Sequence, residues 1–316
     1  MSNMLNKTLG ILLISISGST LVLADSQPVK QFDDRFSIDF GYDDGKITPD
    51  AFIPYRWDKH WFSGLGFRSG SSQTNDVIDG FSDSRIGTST EENRLKINAI
   101  TYERASGITK WSVGFDLEVI DIGKLEFGYF QLPASFGGDY VAFDNEIDIT
   151  VLKPNFNTDI AWSLLDHNLL MRLGLSFSPI SQLDVDQTTR FKPLVPGEGA
   201  GTSSMEQDVS YAVSFESVYK TGGSINVGFL ADYELLPQKY DLQVLNSSAN
   251  AFITETIELE EVTIRFGLRM LFTQTLGGLY PVIGVHLESV DVTDVVKGGS
   301  NKETREYIVF GLENRF

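Results

Sequence analysis

The last ten residues, YIVFGLENRF (307–316), alternate in chemistry with a period of two. Ile308, Phe310, Leu312 and Phe316 fall on one side of an extended strand, with Tyr307, Gly311, Glu313 and Arg315 on the other. The same alternation recurs upstream. Phe36, Ile38, Phe40 and Tyr42 alternate with Ser37, Asp39 and Gly41, and Ala51, Ile53, Tyr55 and Trp57 with Phe52, Pro54 and Arg56. Trp111, Val113, Phe115, Leu117 and Val119 alternate with Ser112, Gly114, Asp116 and Glu118. A period of two places an apolar face on one side of each strand and a polar face on the other. After the N-terminal segment, no stretch approaches the run of about 18 apolar residues that marks a membrane helix. The expected fold class is therefore all-β: an antiparallel up-and-down transmembrane β-barrel whose apolar faces meet lipid.

The strand count turns on residues 123–157. Reading 125–132 and 146–153 as separate strands gives fourteen. Reading 110–132 and 141–165 as two long strands about a turn at 133–140, with a phase-flipping bulge at Pro154-Asn155, gives twelve. Twelve is preferred, because the later hairpins are equally long: 169–182 with 207–219, 224–245 with 252–272, and 279–296 with 303–316. Connection lengths agree with both termini on the periplasmic side. Short links (58–60, 105–109, 166–168, 220–223, 275–278) interleave with long ones (69–92, 183–206, 246–250).

The first 24 residues read as a signal peptide. Lys7 precedes the apolar stretch 9–16, and Val22-Leu23-Ala24 is a small-residue cleavage pattern. Residues 25–34 form a short periplasmic lead-in, and 35–316 one barrel domain. There is no cysteine, which excludes disulfides and thiolate chemistry. A formal charge of −18 disfavours nucleic acid as a partner.

The alternation assigns side chains to two surfaces. Tyr55, Trp57, Trp61, Trp111 and Trp162 lie near the short turns, where an aromatic girdle meets the membrane interface. The lumen receives Arg56, Lys96, Asp116, Glu118, Arg172, Glu234, Glu261, Arg265, Arg269, His286, Glu288 and Glu313, together with Arg68 and Arg104. Charges inside a narrow barrel are costly unless paired, so a salt-bridge network filling the lumen is expected, with a small water-filled pore as the alternative. Chemistry is poorly provided for. Of three histidines, His60 and His167 fall in turns; His286 shares a face with Glu288, but no serine is singled out by spacing as a nucleophile. Asp184-Val185-Asp186 and residues 291–294 offer carboxylates at loop mouths, without the ligand count or glycine of a calcium loop.

The mature chain resembles solitary outer-membrane autotransporter-type β-barrels of Gram-negative bacteria. The likeness rests on FGYF (127–130), VAFDNEIDITVLKP (141–154), RFKPLV (190–195), LPQKYDLQVLNSSANAF (236–252) and GGLYPVIG (277–284). The ending Ile308, Phe310, Leu312, Phe316 resembles the signal read by the barrel assembly machinery, although Asn314 stands where an aromatic is common. The resemblance implies outer-membrane residence after export, lipid and lipopolysaccharide as surroundings, the assembly machinery as a partner during biogenesis, a monomer, no cofactor and no enzymatic activity. Only 25–34 precedes the first strand, too short for a passenger. The expected role is a structural or surface-interaction barrel, with a passive small-solute channel as the alternative and a hydrolase as the least favoured.

Overall fold

A strand in hydrocarbon must pair its backbone N–H and C=O groups with another strand on each side, because lipid offers no partner. The computed structural model describes residues 36–43, 46–77, 85–131, 140–192, 200–207, 209–246, 251–276, 278–296 and 298–314. The expected signal peptide and lead-in, and Phe316, lie outside the described residues. Among the described residues fourteen strands are formed: β1 (Ser37–Asp43), β2 (Lys46–Arg56), β3 (Trp61–Val77), β4 (Arg85–Ser106), β5 (Thr109–Gln131), β6 (Tyr140–Leu164), β7 (Leu169–Ser178), β8 (Ser181–Lys192), β9 (Ala200–Gln207), β10 (Ser210–Tyr219), β11 (Ile225–Asn246), β12 (Ala251–Phe272), β13 (Tyr280–Asp294) and β14 (Ser300–Glu313).

Twelve of them close a circuit. β1 through β7 pair in sequence, β7 pairs with β10, β10 through β14 pair in sequence, and β14 returns to β1 with Phe310 opposite Phe40. The twelve-strand barrel is thus present. The remaining two strands, β8 and β9, prolong β7 and β10 upward as a hairpin attached to β6. Stretches whose polarity suggested loops, 69–77, 85–92 and 183–206 in part, are strand instead. These segments rise above the lipid and carry polar residues on the outer face; 69–77 and 85–92 are polar on the inner face as well, so the apolar-outward signal is absent there.

The outward faces locate the lipid. From the short-turn end upward, the outward residues of β12 are Met270, Leu268, Phe266, Ile264 and Val262, and then Glu260 and Glu258. On β5 they run from Trp111 to Val119 and then reach Asp121; on β13, from Ile283 to Leu287 and then Ser289 and Asp291. The lipid band therefore ends at about Val262, Val119 and Leu287. A closed antiparallel wall with such a band is a transmembrane barrel of the bacterial outer membrane.

Two details of phase differ from the sequence expectation. β5 and β6 pair without interruption across Pro154 and Asn155, so no bulge flips the phase there. The flip lies instead between β7 and β8, where Lys153, Pro154 and Asn155 face the four residues Ser178, Pro179, Ile180 and Ser181. Pro154 lacks an N–H, and it stands opposite this break in the ladder. A second bulge at Ala99, between the pairs Asn98↔Asp116 and Ile100↔Phe115, turns Glu103 inward and sends Arg104 to the outer face rather than into the lumen.

Above the lipid band, part of the inward face becomes apolar, on β5, β6, β8 and β11. Ile120, Ile147, Ile149, Val151, Leu183, Val185, Leu236 and Tyr240 form a buried cluster that joins β5, β6 and β8 to β11. Asp184 and Asp186 point outward from the same strand, β8, with Val185 buried between them, so this segment is wall and not a loop mouth. At the opposite end, the turn after β2 is capped by Asp58, whose Oδ1 accepts from the backbone N–H of His60 (2.6 Å) and Trp61 (2.9 Å). Those donors hold its carboxyl below the ordinary aspartate range.

Two outcomes follow. Leu183→Ala, at a fully buried position, should cost about 2–5 kcal/mol in denaturant unfolding of the reconstituted barrel. The Asp58 cap, with its folded-state value depressed, is in place above the ordinary value of about 3.9 and is lost as the pH falls through the lower folded value. The amide resonances of His60 and Trp61 should shift together over that interval and stay fixed in Asp58→Asn.

Candidate functional site

The inward alternation lines the barrel with charge, and most of that charge is paired across the lumen. Arg94 on β4 is the hub. Its Nη1 lies 2.6 Å from Glu234 on β11 and 4.0 Å from Glu118 on β5, and its Nη2 lies 4.0 Å from Glu261 on β12. Its Nε donates to Glu92, two residues back on the same strand. Lys153 on β6 bonds Glu234 at 2.9 Å and Glu118 at 3.2 Å. β4 and β11 are on opposite walls, so the Arg94–Glu234 contact spans the lumen.

A second set of ion pairs crosses beside it. Arg68 on β3 donates to Glu288 on β13. Arg265 on β12 approaches the same carboxylate at 3.3 Å and reaches Asp50 on β2 at 3.6 Å and Asp232 at 3.9 Å. Nearer the short turns, Arg269 bridges Asp39 (3.2 Å) and Glu313 (2.9 Å), linking β12 to the β1–β14 closure. Lys96 pairs with Asp116 at 2.6 Å, and Glu103 takes both Arg56 (3.1 Å) and Lys110 (2.9 Å). Arg172 lies 3.6 Å from Asp159 and 3.9 Å from Glu216. Below these, Val218, Leu271 and Val282 form a small apolar floor.

The lumen residues expected from the sequence thus lie on the inner face, with the exception of Arg104, which the Ala99 bulge turns outward. Several partners were not anticipated there. Arg94 shares the parity of Lys96 two residues on, but it adjoins the polar stretch 69–92 that reads as a long link. Lys153 was displaced by the phase flip assigned to Pro154. Asp50 and Glu103 carried no signal, the latter because the Ala99 bulge sets its direction. His286 Nε2 accepts from Arg269 Nε at 3.1 Å and its ring meets Tyr307 edge-on, while Glu288 takes Arg68 and Arg265. A Cβ at Gly267 would come within 2.7 Å of that ring, so the glycine makes room for the histidine. Ile308 and Phe310 are exposed on the outer face, with Leu312 beside them. Tyr55, Trp57, Trp61, Trp111 and Trp162 point outward at the short-turn end, where Trp61, Tyr102 and Trp111 form a chain of rings 5.0 and 5.6 Å apart.

The ion pairs divide the interior. Above the Arg94 layer lies a cavity of about 420 Å³, with Ile122, Ile149, Leu259, Val290 and Val292 on its walls beside Glu92, Glu261 and Arg305. Below lies one of about 350 Å³, lined by Phe52, Lys96, Glu118, Asp232 and Glu234 among others. Arg68 and Arg94 belong to both linings. They are the partition.

No protein-family model matches the chain, and no curated protein matches it, so the expected likeness to autotransporter-type barrels finds no support. Among solved structures the chain is similar to the Pseudomonas putida toluene transporter TodX (9% identity, 89% of each chain, TM-score 0.44). It is also similar to a Pseudomonas aeruginosa FadL homologue (11% identity, 89% of this chain and 88% of that one, TM-score 0.42). A third is the Ralstonia pickettii toluene transporter TbuX (10% identity, 89% and 90%, TM-score 0.38). At such values these likenesses assign no substrate to this chain.

The hub makes a stability prediction. Arg94→Met leaves one cation, Lys153, among four carboxylates and should cost about 3–5 kcal/mol. Adding Glu234→Leu restores the original charge excess, so the double variant should be more stable than Arg94→Met alone. A double-mutant cycle from urea unfolding in lipid vesicles measures the difference.

Proposed function

We propose that this barrel is a passive channel for small solutes, held closed in the conformation described by the Arg68–Arg94 layer. The observation that carries the reading is the pair of chambers, about 420 and 350 Å³, whose shared wall is made of ion pairs between flexible side chains. Backbone would have to break to open a plug; here rotamer changes and entering water suffice, since charged groups exchange one polar partner for another at modest cost. The upper chamber mixes aliphatic side chains such as Ile122 and Val290 with charged ones such as Lys124 and Arg305, a lining that suits small solutes with both polar and apolar portions. A purely structural barrel has no use for either chamber, and this is why the channel reading is preferred to the structural or surface-interaction role.

Planar-bilayer recordings test it. The wild-type protein should show infrequent conductance steps. Arg94→Gln should raise the open fraction about tenfold, the shift that about 1.4 kcal/mol produces. Flat traces from both proteins would return the barrel to a structural or surface role.

A further inference from the structure

The Arg94 layer is not balanced in charge. Arg94 and Lys153 are two cations, and Glu92, Glu118, Glu234 and Glu261 are four carboxylates, each within 4.0 Å of one or both. The flanking groups do not make up the deficit. Lys96 is committed to Asp116, Arg68 and Arg265 share Glu288, and Arg305 is held by Glu303 on its own strand. Carboxylates in excess of cations in a water-poor layer are costly when all are ionised.

The four carboxylates are not equivalent. Glu234 contacts Arg94 at 2.6 Å and Lys153 at 2.9 Å, Glu118 contacts Lys153 at 3.2 Å, and Glu92 is bonded to Arg94 Nε. The cation contact recorded for Glu261 is the 4.0 Å approach of Arg94 Nη2 to its Oε1, while Gln238 Nε2 donates to Oε2 at 3.1 Å. Glu261 lies just beyond the lipid band, one residue past Val262, and it lines the upper chamber. It therefore combines the weakest compensation with access to water.

We propose that the Arg94 layer is a proton-operated gate in which Glu261 takes up a proton from water in the upper chamber and thereby holds the partition closed. The inference rests on the channel reading and adds its regulation. With Glu261 neutral, Arg94 is left to Glu234 and Glu92, the arrangement that spans the lumen. When Glu261 ionises, a fourth negative charge competes for Arg94 and repels Glu234 and Glu92, which weakens the cross-lumen contact. The channel opens as the pH rises.

Two measurements on the full-length protein test this. Infrared titration of the reconstituted barrel, from about pH 4 to about pH 8, should contain a buried protonated-carboxyl band that Glu261→Gln removes and that the outward-facing Glu260→Gln leaves in place. Bilayer conductance of the wild type should rise about tenfold between about pH 5 and about pH 8, a shift equivalent to one unit of differential proton affinity. Glu261→Gln should stay at the low-pH level throughout. A band that is absent, or unchanged in Glu261→Gln, overturns the proposal. So does a pH-independent wild type when Arg94→Gln conducts, and in that case the channel reading survives. Absence of conductance from every variant at every pH defeats the channel reading and the gate together.

Discussion

Hydrocarbon offers no hydrogen-bond partner, and the wall obeys this wherever lipid touches it. The twelve-strand circuit is unbroken through the level of the outward apolar residues, including the β1–β14 junction that joins the two ends of the sheet. At that level the departures are single-residue bulges such as the one at Ala99, and the ladder is lost outright only where the constraint lapses. β10 pairs with β11 up to Tyr211 and Leu235, and beyond this β9 and β11 run side by side without a ladder. There the outward residues of β11 are Lys239, Asp241 and Gln243.

Side chains take over the missing bonds at that seam. Gln187 Oε1 accepts from the backbone N–H of Gln243 at 2.8 Å, and its Nε2 donates to the carbonyl of the same residue at 3.2 Å, so one side-chain amide stands in for a peptide group. Ser203 Oγ does the same for Asp241, at 3.3 and 3.5 Å. Pro237, which has no N–H to offer, falls just past the last β10–β11 pair. Behind the seam the buried cluster around Leu183, Val185 and Leu236 supplies hydrophobic attraction that the ladder no longer provides. The hairpin β8–β9 is thus held by packing on one side and by eleven cross-strand pairs to β6 on the other.

The interior follows from the same closure. Once twelve strands meet in a ring, their inward side chains share a narrow space, and ionised groups there must find one another. Arg94, Arg68, Arg265 and Arg269 each reach a carboxylate on a strand that is not their neighbour, and the resulting cross-braces tie opposite walls. Their uneven distribution leaves open space above and below the Arg94 layer and a surplus of carboxylates within it.

Much of this was legible in the chain itself. A period of two, clearest at Trp111–Val119 and at Ile308–Leu312, is fixed by backbone geometry, and lipid on one face makes it visible as an apolar–polar alternation. It determined the barrel, the twelve-strand count, the outward aromatics and the inward direction of residues such as Glu234, Glu261 and Arg269. What it could not determine was anything set by a register shift or by a meeting of distant strands. A single added residue at Ala99 or between Ser178 and Ser181 reverses the face of everything that follows, and nothing local announces it. The Arg94–Glu234 contact joins residues 140 positions apart, and the seal around Leu183 joins four strands above the lipid, where the apolar side of the alternation faces inward and not outward. Those were decided only by the tertiary structure, because closing the ring chooses which inward side chains confront each other.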